Sequence, residues 1–372
     1  MKKENVKLWI MQAVTITIYF VSMSFTLLES GMDTDTLSGM LEDMLSFLIA
    51  FLLAYYLQII VHEGGHLIFG LLSGYRFLSF RIGRFMIIQK DGKLHFKKYF
   101  LAGTSGQCLM APPDYQNGNY PSTLYHMGGT IANLIFTVLF IAIRLIARPQ
   151  GFFNSFVNMN IACGLIDALN NGVPLKTKLV SNDGWNALHQ KKDEGLNKAN
   201  WLILKITEKQ TEGIRLKDMD ESWFVYDDSK ELRDQGNASL CYLRQVRAMD
   251  EKDIGLAKEL IAKLLKDDVS LNGLNKQLIK ADKVYIELLE KGKEADLSLL
   301  QEKDMQVLFK SMSDLPSIIR TDYAREILTG DKDKAKKLIE RFERNAKSYP
   351  YTGEIETERD LMELVKVSSQ TF

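Results

Sequence analysis

Five histidines are spread through 372 residues, and two of them flank a glutamate in Val61-His62-Glu63-Gly64-Gly65-His66. On a helix, positions i and i+4 share one face a turn apart, so His62 and His66 can reach a single metal ion. Glu63, beside the first histidine, can take a proton from an attacking water. Zinc suits such a pair, because it takes nitrogen and oxygen ligands tetrahedrally and leaves a position open for water. In a chain this poor in histidine a chance H-E-x-x-H is on the order of one in two hundred, so the spacing carries weight. The setting adds to it. The three ionisable residues lie late in a long apolar run, where such groups are costly and usually face a cavity or a ligand. The bland alternative, polar groups snorkelling at the end of a span, leaves the spacing unexplained. Gly64 and Gly65 weaken an ordinary helix; they either leave room for a substrate backbone or let another helix pack closely.

A third protein ligand must come from a distant element, and Asp167 and Asp183 are the candidates. Asp183 follows Asn170-Asn171-Gly172-Val173-Pro174 in a segment ending Ser181-Asn182-Asp183-Gly184. Asp167 reads better as an acid capping or pairing inside the bundle, for example with Arg144, than as a ligand. An H-E-x-x-H in one span, an N-x-x-P … D-G segment after a later one, and Gly129-Thr130-Ile131-Ala132-Asn133 between them together resemble the site-2 proteases, intramembrane zinc metalloproteases. The resemblance covers roughly residues 44 to 190. It implies His62, His66 and Asp183 as zinc ligands, Glu63 as the catalytic base, and Asn171 as a residue that hydrogen-bonds the substrate or the oxyanion. Pro174 and Asp183 stand nine positions apart, further than that family usually places them. The other histidines have plainer readings: His95 a surface residue, His126 interfacial or packed, His189 on a helix surface.

Several elements must position these groups. The runs Leu8 to Leu28, Met44 to Leu72, Leu124 to Ile146 and the shorter Phe152 to Leu169 are apolar enough to enter a bilayer. Lys2, Lys3 and Lys7 resemble a signal-peptide start, but the first run is too long and lacks a cleavage site, so it reads as a retained anchor. These lysines, the acidic connection with Glu29, Asp33, Asp35, Glu42 and Asp43, and the basic stretch from Arg76 to Lys98 orient the N-terminus to the cytoplasm. Arg144 and Arg148 run against that scheme. Residues 75 to 100 alternate apolar and polar, and Asp91-Gly92 is a two-residue hairpin turn. The following Leu101-Ala-Gly-Thr-Ser-Gly-Gln-Cys-Leu-Met-Ala-Pro-Pro-Asp114 reads as a loop. Beyond Trp185 the chain is charged and helically periodic, with stripes at Leu256, Ala257, Leu260, Ile261, Leu264 and Leu265 and at Ala335, Leu338, Ile339 and Phe342. These hint at helical hairpins of tetratricopeptide type, without the full repeat.

The expected fold is mainly α: a polytopic membrane protein of about four spans with a β-hairpin insertion and a soluble all-α C-terminal domain. The expected divisions are 1–43 (anchor and outer loop), 44–184 (metalloprotease core) and 185–372 (cytoplasmic helical domain). Zero formal net charge gives no reason to expect nucleic acid. Three cysteines without CxxC spacing indicate neither a disulfide framework nor a zinc ribbon. The chemistry points to zinc-dependent hydrolysis of a membrane-anchored protein or peptide precursor, with a cytoplasmic protein partner for the helical domain. The competing class is a catalytically silent membrane scaffold that recruits partners through that domain. A transporter ranks behind both, because no inverted repeat is evident.

Overall fold

A computed structural model describes residues 2–30, 36–101, 104–176, 181–190 and 193–369. Asp33 and Asp35 of the acidic connection and Lys178 of the Pro174–Asp183 insert lie outside the described residues. The chain is mainly helical, and it divides into two compact units: Met1–Ile82 with Ser105–Pro113 and Pro121–Lys192, and Gly83–Thr104 with Asp114–Tyr120 and Asp193–Phe372.

The first unit contains α1 (Lys2–Ser30), α2 (Leu37–Leu72), α3 (Thr123–Ala147), α4 (Gly151–Gly172) and the short α5 (Asp183–His189). The first four are long and apolar enough to cross a membrane. Their polarity is inverted relative to a water-soluble bundle. Leu45, Leu53, Ile68, Leu71, Val138 and Leu145 point outward, whereas Gln58, Asn133, Thr137, Asn154, Asn158 and Asn160 are buried. Buried amides need partners in the bundle, and they have them. Gln58 Nε2 donates to the Asn160 carbonyl at 3.2 Å, and Asn158 Nδ2 donates to Thr26 Oγ1 at 3.3 Å.

Glycines set how closely the helices approach. A Cβ at Gly65 would lie 2.3 Å from the Gly128 carbonyl oxygen, and one at Gly128 would lie 2.6 Å from that of Gly65. So α2 and α3 cross backbone to backbone one residue from His66. Two strands complete the unit: β1 (Arg76–Ile82) and β4 (Gly106–Ala111) run antiparallel from Arg76↔Ala111 to Ile82↔Gly106, with an irregularity between Phe77 and Ser79.

In the second unit β2 (Phe85–Lys90) and β3 (Lys93–Lys98) form the expected hairpin, turning at Asp91 (φ 51°) and Gly92 (φ 71°). Both turn residues take the positive φ of a type I′ turn. Two details differ from the sequence reading. The alternating stretch supplies a third strand, β1, and the segment read as a loop contains β4. Its pairing partner lies about thirty residues back in the chain, so local Gly and Pro content hid it.

The remaining helices are α6 (Glu194–Thr211), α7 (Gln235–Glu251), α8 (Ile254–Leu264), α9 (Gly273–Lys291), α10 (Lys303–Ser311), α11 (Pro316–Thr329), α12 (Lys332–Ala346) and α13 (Thr352–Ser369). Side-chain N-caps open several of them: Asp193, Asp234, Asp253, Asn272 and Asp331 each accept from a backbone N–H. The expected stripes face inward, with Ala257, Leu260, Ile261 and Leu264 of α8 and Ala335 and Phe342 of α12 in one core.

Candidate metal centre

His62 and His66 project from the last third of α2, and α5 brings Asp183 to them. His62 Nε2 lies 3.2 Å from His66 Nε2 and 3.2 Å from Asp183 Oδ2, while His66 Nε2 lies 3.3 Å from the same oxygen. These three residues form a group able to hold a metal ion. Asp167, the rival carboxylate, sits half-buried on α4 and is not part of the group.

The outer nitrogens of both rings are already committed. His66 Nδ1 is 2.8 Å from the Tyr125 backbone carbonyl. A carbonyl can only accept, so Nδ1 carries a proton, and in the neutral ring Nε2 keeps its lone pair. His62 Nδ1 is 2.7 Å from Asn133 Oδ1. Asn133 Nδ2 donates to the Gln58 carbonyl (3.1 Å) and to Gln58 Oε1 (2.8 Å), which fixes the amide with its oxygen toward His62. The same conclusion holds for His62: Nδ1 donates and Nε2 is free to ligate.

Where neither Nε2 carries a proton, two lone pairs and a carboxylate oxygen converge on one point, and a metal cation there would take the place of the Nε2 protons that hydrogen-bond Asp183. Zinc with ligands at about 2.0–2.1 Å in a tetrahedron separates its donor atoms by roughly 3.3–3.4 Å, close to the 3.2–3.3 Å found. The residues fit the ion. Burial works against the charge on Asp183, but its hydrogen bonds with His62 and His66 outweigh burial and hold its carboxyl well below the usual carboxylate range. It is thus in the ligand form at neutral pH. Burial pushes the Cys108 thiol of β4 the other way, up to about 12.

Local structure explains why Asp183 arrives there. Asn182 caps α5: its Oδ1 accepts from Trp185 N (3.0 Å) and Leu175 N (2.9 Å), and its Nδ2 donates to the Asn170 and Val173 carbonyls, both at 2.7 Å. This one side chain ties α5 to the end of α4. At Gly184 a Cβ would lie 2.2 Å from the Gly172 carbonyl oxygen, so only glycine permits the contact. At Gly129 a Cβ would meet the His62 ring at 2.5–2.7 Å; there α3 leaves the ring its space.

Glu63 is buried, at 8% exposure, on the next face of α2. A Cβ at Gly106 would come within 2.6 Å of Glu63 Oε1, so the start of β4 walls this carboxylate. Glu63 is close enough to feel the charges of His62, His66, Asp183 and the buried Arg81 of β1. Around Gly64 there is nothing within 4 Å of a would-be Cβ. Of the two motif glycines, then, Gly65 serves helix packing and Gly64 opens on free space.

Asn171 does not turn toward this group: its Nδ2 donates to the Asp167 carbonyl of its own helix at 3.1 Å. The other histidines are engaged elsewhere. His126 Nε2 meets Gln190 Oε1 at 3.1 Å, and His189 stacks on Trp185 at 4.4 Å. His95 lies exposed on β3, opposite Ile88. Sequence reasoning passed over Gln58, Tyr125, Arg81 and Asn182. Gln58 was detectable as a lone amide four residues before His62, on the same helix face. Comparison with protein-family models, curated proteins and solved structures finds no match for this chain.

Proposed function

We propose that the protein is a polytopic membrane zinc metalloprotease resembling the site-2 proteases, which hydrolyses a peptide bond in or near the membrane-spanning segment of an anchored protein or peptide precursor. The observation that carries this reading is the convergence of His62 Nε2, His66 Nε2 and Asp183 Oδ2, with both Nδ1 atoms already committed. The inverted polarity of α1 to α4 supports placement in a bilayer. The lysines of the N-terminus and of the 76–98 stretch favour a cytoplasmic N-terminus and C-terminal helices, the latter available to a protein partner.

Zinc held by the three residues supplies Lewis acidity toward a scissile carbonyl and toward water. Asn133 and the Tyr125 carbonyl orient the ligand rings. Glu63 accepts the proton of the attacking water and passes it to the leaving amine. A transmembrane substrate must first unwind, because a helix hides its carbonyls in its own hydrogen bonds. Among the described residues β4 pairs with β1 along one edge, and its first residue abuts Glu63. Its other edge can steady an extended segment by strand addition.

The test couples metal analysis to cleavage of a helix-destabilised model transmembrane substrate in detergent. Wild type binds stoichiometric zinc and cleaves; His62→Ala loses both; Glu63→Ala keeps zinc and loses cleavage. Zinc-free wild type, or full cleavage by Glu63→Ala, refutes the assignment and favours a scaffold.

A further inference from the structure

The second unit contains a partly open cavity of about 320 Å³, at the small end of the range for ligand sites. Its walls are largely apolar, but charged side chains from three helices meet in it: Asp282 of α9, Arg320 of α11, and Glu354 and Glu358 of α13. The two glutamates stand at i and i+4, on one face of their helix. Arg320 is 1% exposed; its Nη2 lies 2.6 Å from Asp282 Oδ1 and its Nη1 lies 3.2 Å from Glu358 Oε2. Arg215 also lines the cavity, but Asp250 (2.5 Å) and Asp360 (2.9 Å) already meet its charge. One guanidinium is left facing three carboxylates. Glu354 receives only the Tyr349 hydroxyl at 2.9 Å among the described contacts. Glu358 Oε2, on a side chain 6% exposed, has no hydrogen-bond donor in good geometry.

The aromatic wall supplies a second and independent feature. Tyr99, Tyr349 and Tyr351 pack edge to face, with ring centroids 5.4–6.3 Å apart and planes at 75–86°. Clustered tyrosine rings beside carboxylates are the setting in which organic ammonium groups are bound, through the negative ring faces and the acids together.

We propose that this cavity is a binding site for a small organic cation, a primary ammonium carried on an apolar or aromatic body, such as a free amino terminus or side-chain amine of a hydrophobic peptide. The ammonium answers the surplus of carboxylate at Glu354 and Glu358, and the apolar body occupies the remaining wall. Burial pushes Glu358 up to about 8 in spite of Arg320, and pushes Glu354 up to about 7 against the Tyr349 hydroxyl. The free protein thus holds these acids at a cost that a bound cation removes. The site is independent of the metal centre, and its test needs no proteolysis.

Titration calorimetry on the full chain in a maltoside detergent uses three probes of one shape: phenethylammonium, 2-phenylethanol and 3-phenylpropanoate. The amine is expected to bind at least about tenfold more tightly than the alcohol, which corresponds to about 1.4 kcal/mol, and the carboxylate not to bind. Glu354→Gln, which keeps an acceptor for Tyr349, should weaken the amine by about tenfold and leave the alcohol unchanged. Equal binding of amine and alcohol, or no binding of the amine, overturns the proposal in wild type alone, whatever the variant does. A Glu354→Gln protein that folds and binds the amine as tightly as wild type overturns it as well.

Discussion

Replacing Asn133 by alanine should loosen the metal centre without touching a ligand. In the native protein His62 Nδ1 donates to Asn133 Oδ1 at 2.7 Å, and Asn133 Nδ2 donates to two oxygens of Gln58. Alanine leaves the imidazole N–H without its acceptor, and the ring is free to rotate or change tautomer. Loss of such a partner typically reduces metal affinity by about 10–100-fold, or about 1.4–2.8 kcal/mol. The buried Gln58 Oε1 also loses its donor, adding on the order of 1–3 kcal/mol of lost stability. Gln58→Ala is the graded control. It removes the 2.8 Å anchor but keeps the backbone carbonyl at 3.1 Å, so it should weaken zinc by less than about tenfold. Competition with a fluorescent zinc chelator, on detergent-solubilised protein of verified monodispersity, measures both. Wild-type affinity in Asn133→Ala, or a larger loss in Gln58→Ala than in Asn133→Ala, refutes the claim that this amide holds the ring.

Gly129→Ala, which places a methyl 2.5–2.7 Å from His62, should displace the ring and abolish tight zinc binding. Gly64→Ala meets nothing within 4 Å; it should keep zinc and gain about 0.5–1 kcal/mol of helix stability, and any loss of cleavage would mark the substrate path. Asn182→Ala should cost about 1–2 kcal/mol as a lost cap and weaken zinc in the same chelator assay, whereas Asn171→Ala, losing one bond to its own helix, should do neither. Glu354 yields a pH prediction. Its native pKa of about 7 lies above its ordinary value of 4.5, so across that window the native state holds a proton the unfolded state has released, and stability falls as pH rises. The loss is absent below pH 4.5 and complete above about 7. For Glu354 alone it should amount to about 3 kcal/mol, read in denaturant titrations as the difference between wild type and Glu354→Gln, which keeps the further loss contributed by Glu358, itself pushed up to about 8.

The i, i+4 histidine pair was legible because helical periodicity is a local property, and an apolar run long enough to span leaves little choice but helix. Which carboxylate joins the pair was not legible from residue type; only the family resemblance favoured Asp183. Asp167 and Asp183 are equivalent as residue types; what separates them is the course of the chain after Pro174, held by four hydrogen bonds to Asn182. A proline-marked segment drew attention to Asn171, while the asparagine that organises the segment stood next to the aspartate itself. The Asp91-Gly92 turn was readable for the same local reason as the histidines. Strand β4 was not, since its pairing with β1 is written in neither segment alone. The cavity of the second unit was equally hidden, because Asp282, Arg320 and Glu358 look like ordinary surface charges of amphipathic helices until their helices are brought together.

The separation of the ligands along the chain bears on how the protein is made. On the proposed function His62 and His66 would enter the bilayer with α2, whereas Asn133 arrives with α3 and Asp183 only after α4 has been synthesised. Until then the nascent span carries two imidazoles and the Glu63 carboxylate with none of their later partners, a segment that the insertion machinery must shelter. Loading of the proposed metal would then come at the end of biogenesis, after translation has passed residue 183. A chain truncated in the loop after α4 would present the histidines of a metal site, yet be left to quality control as an incompletely assembled bundle.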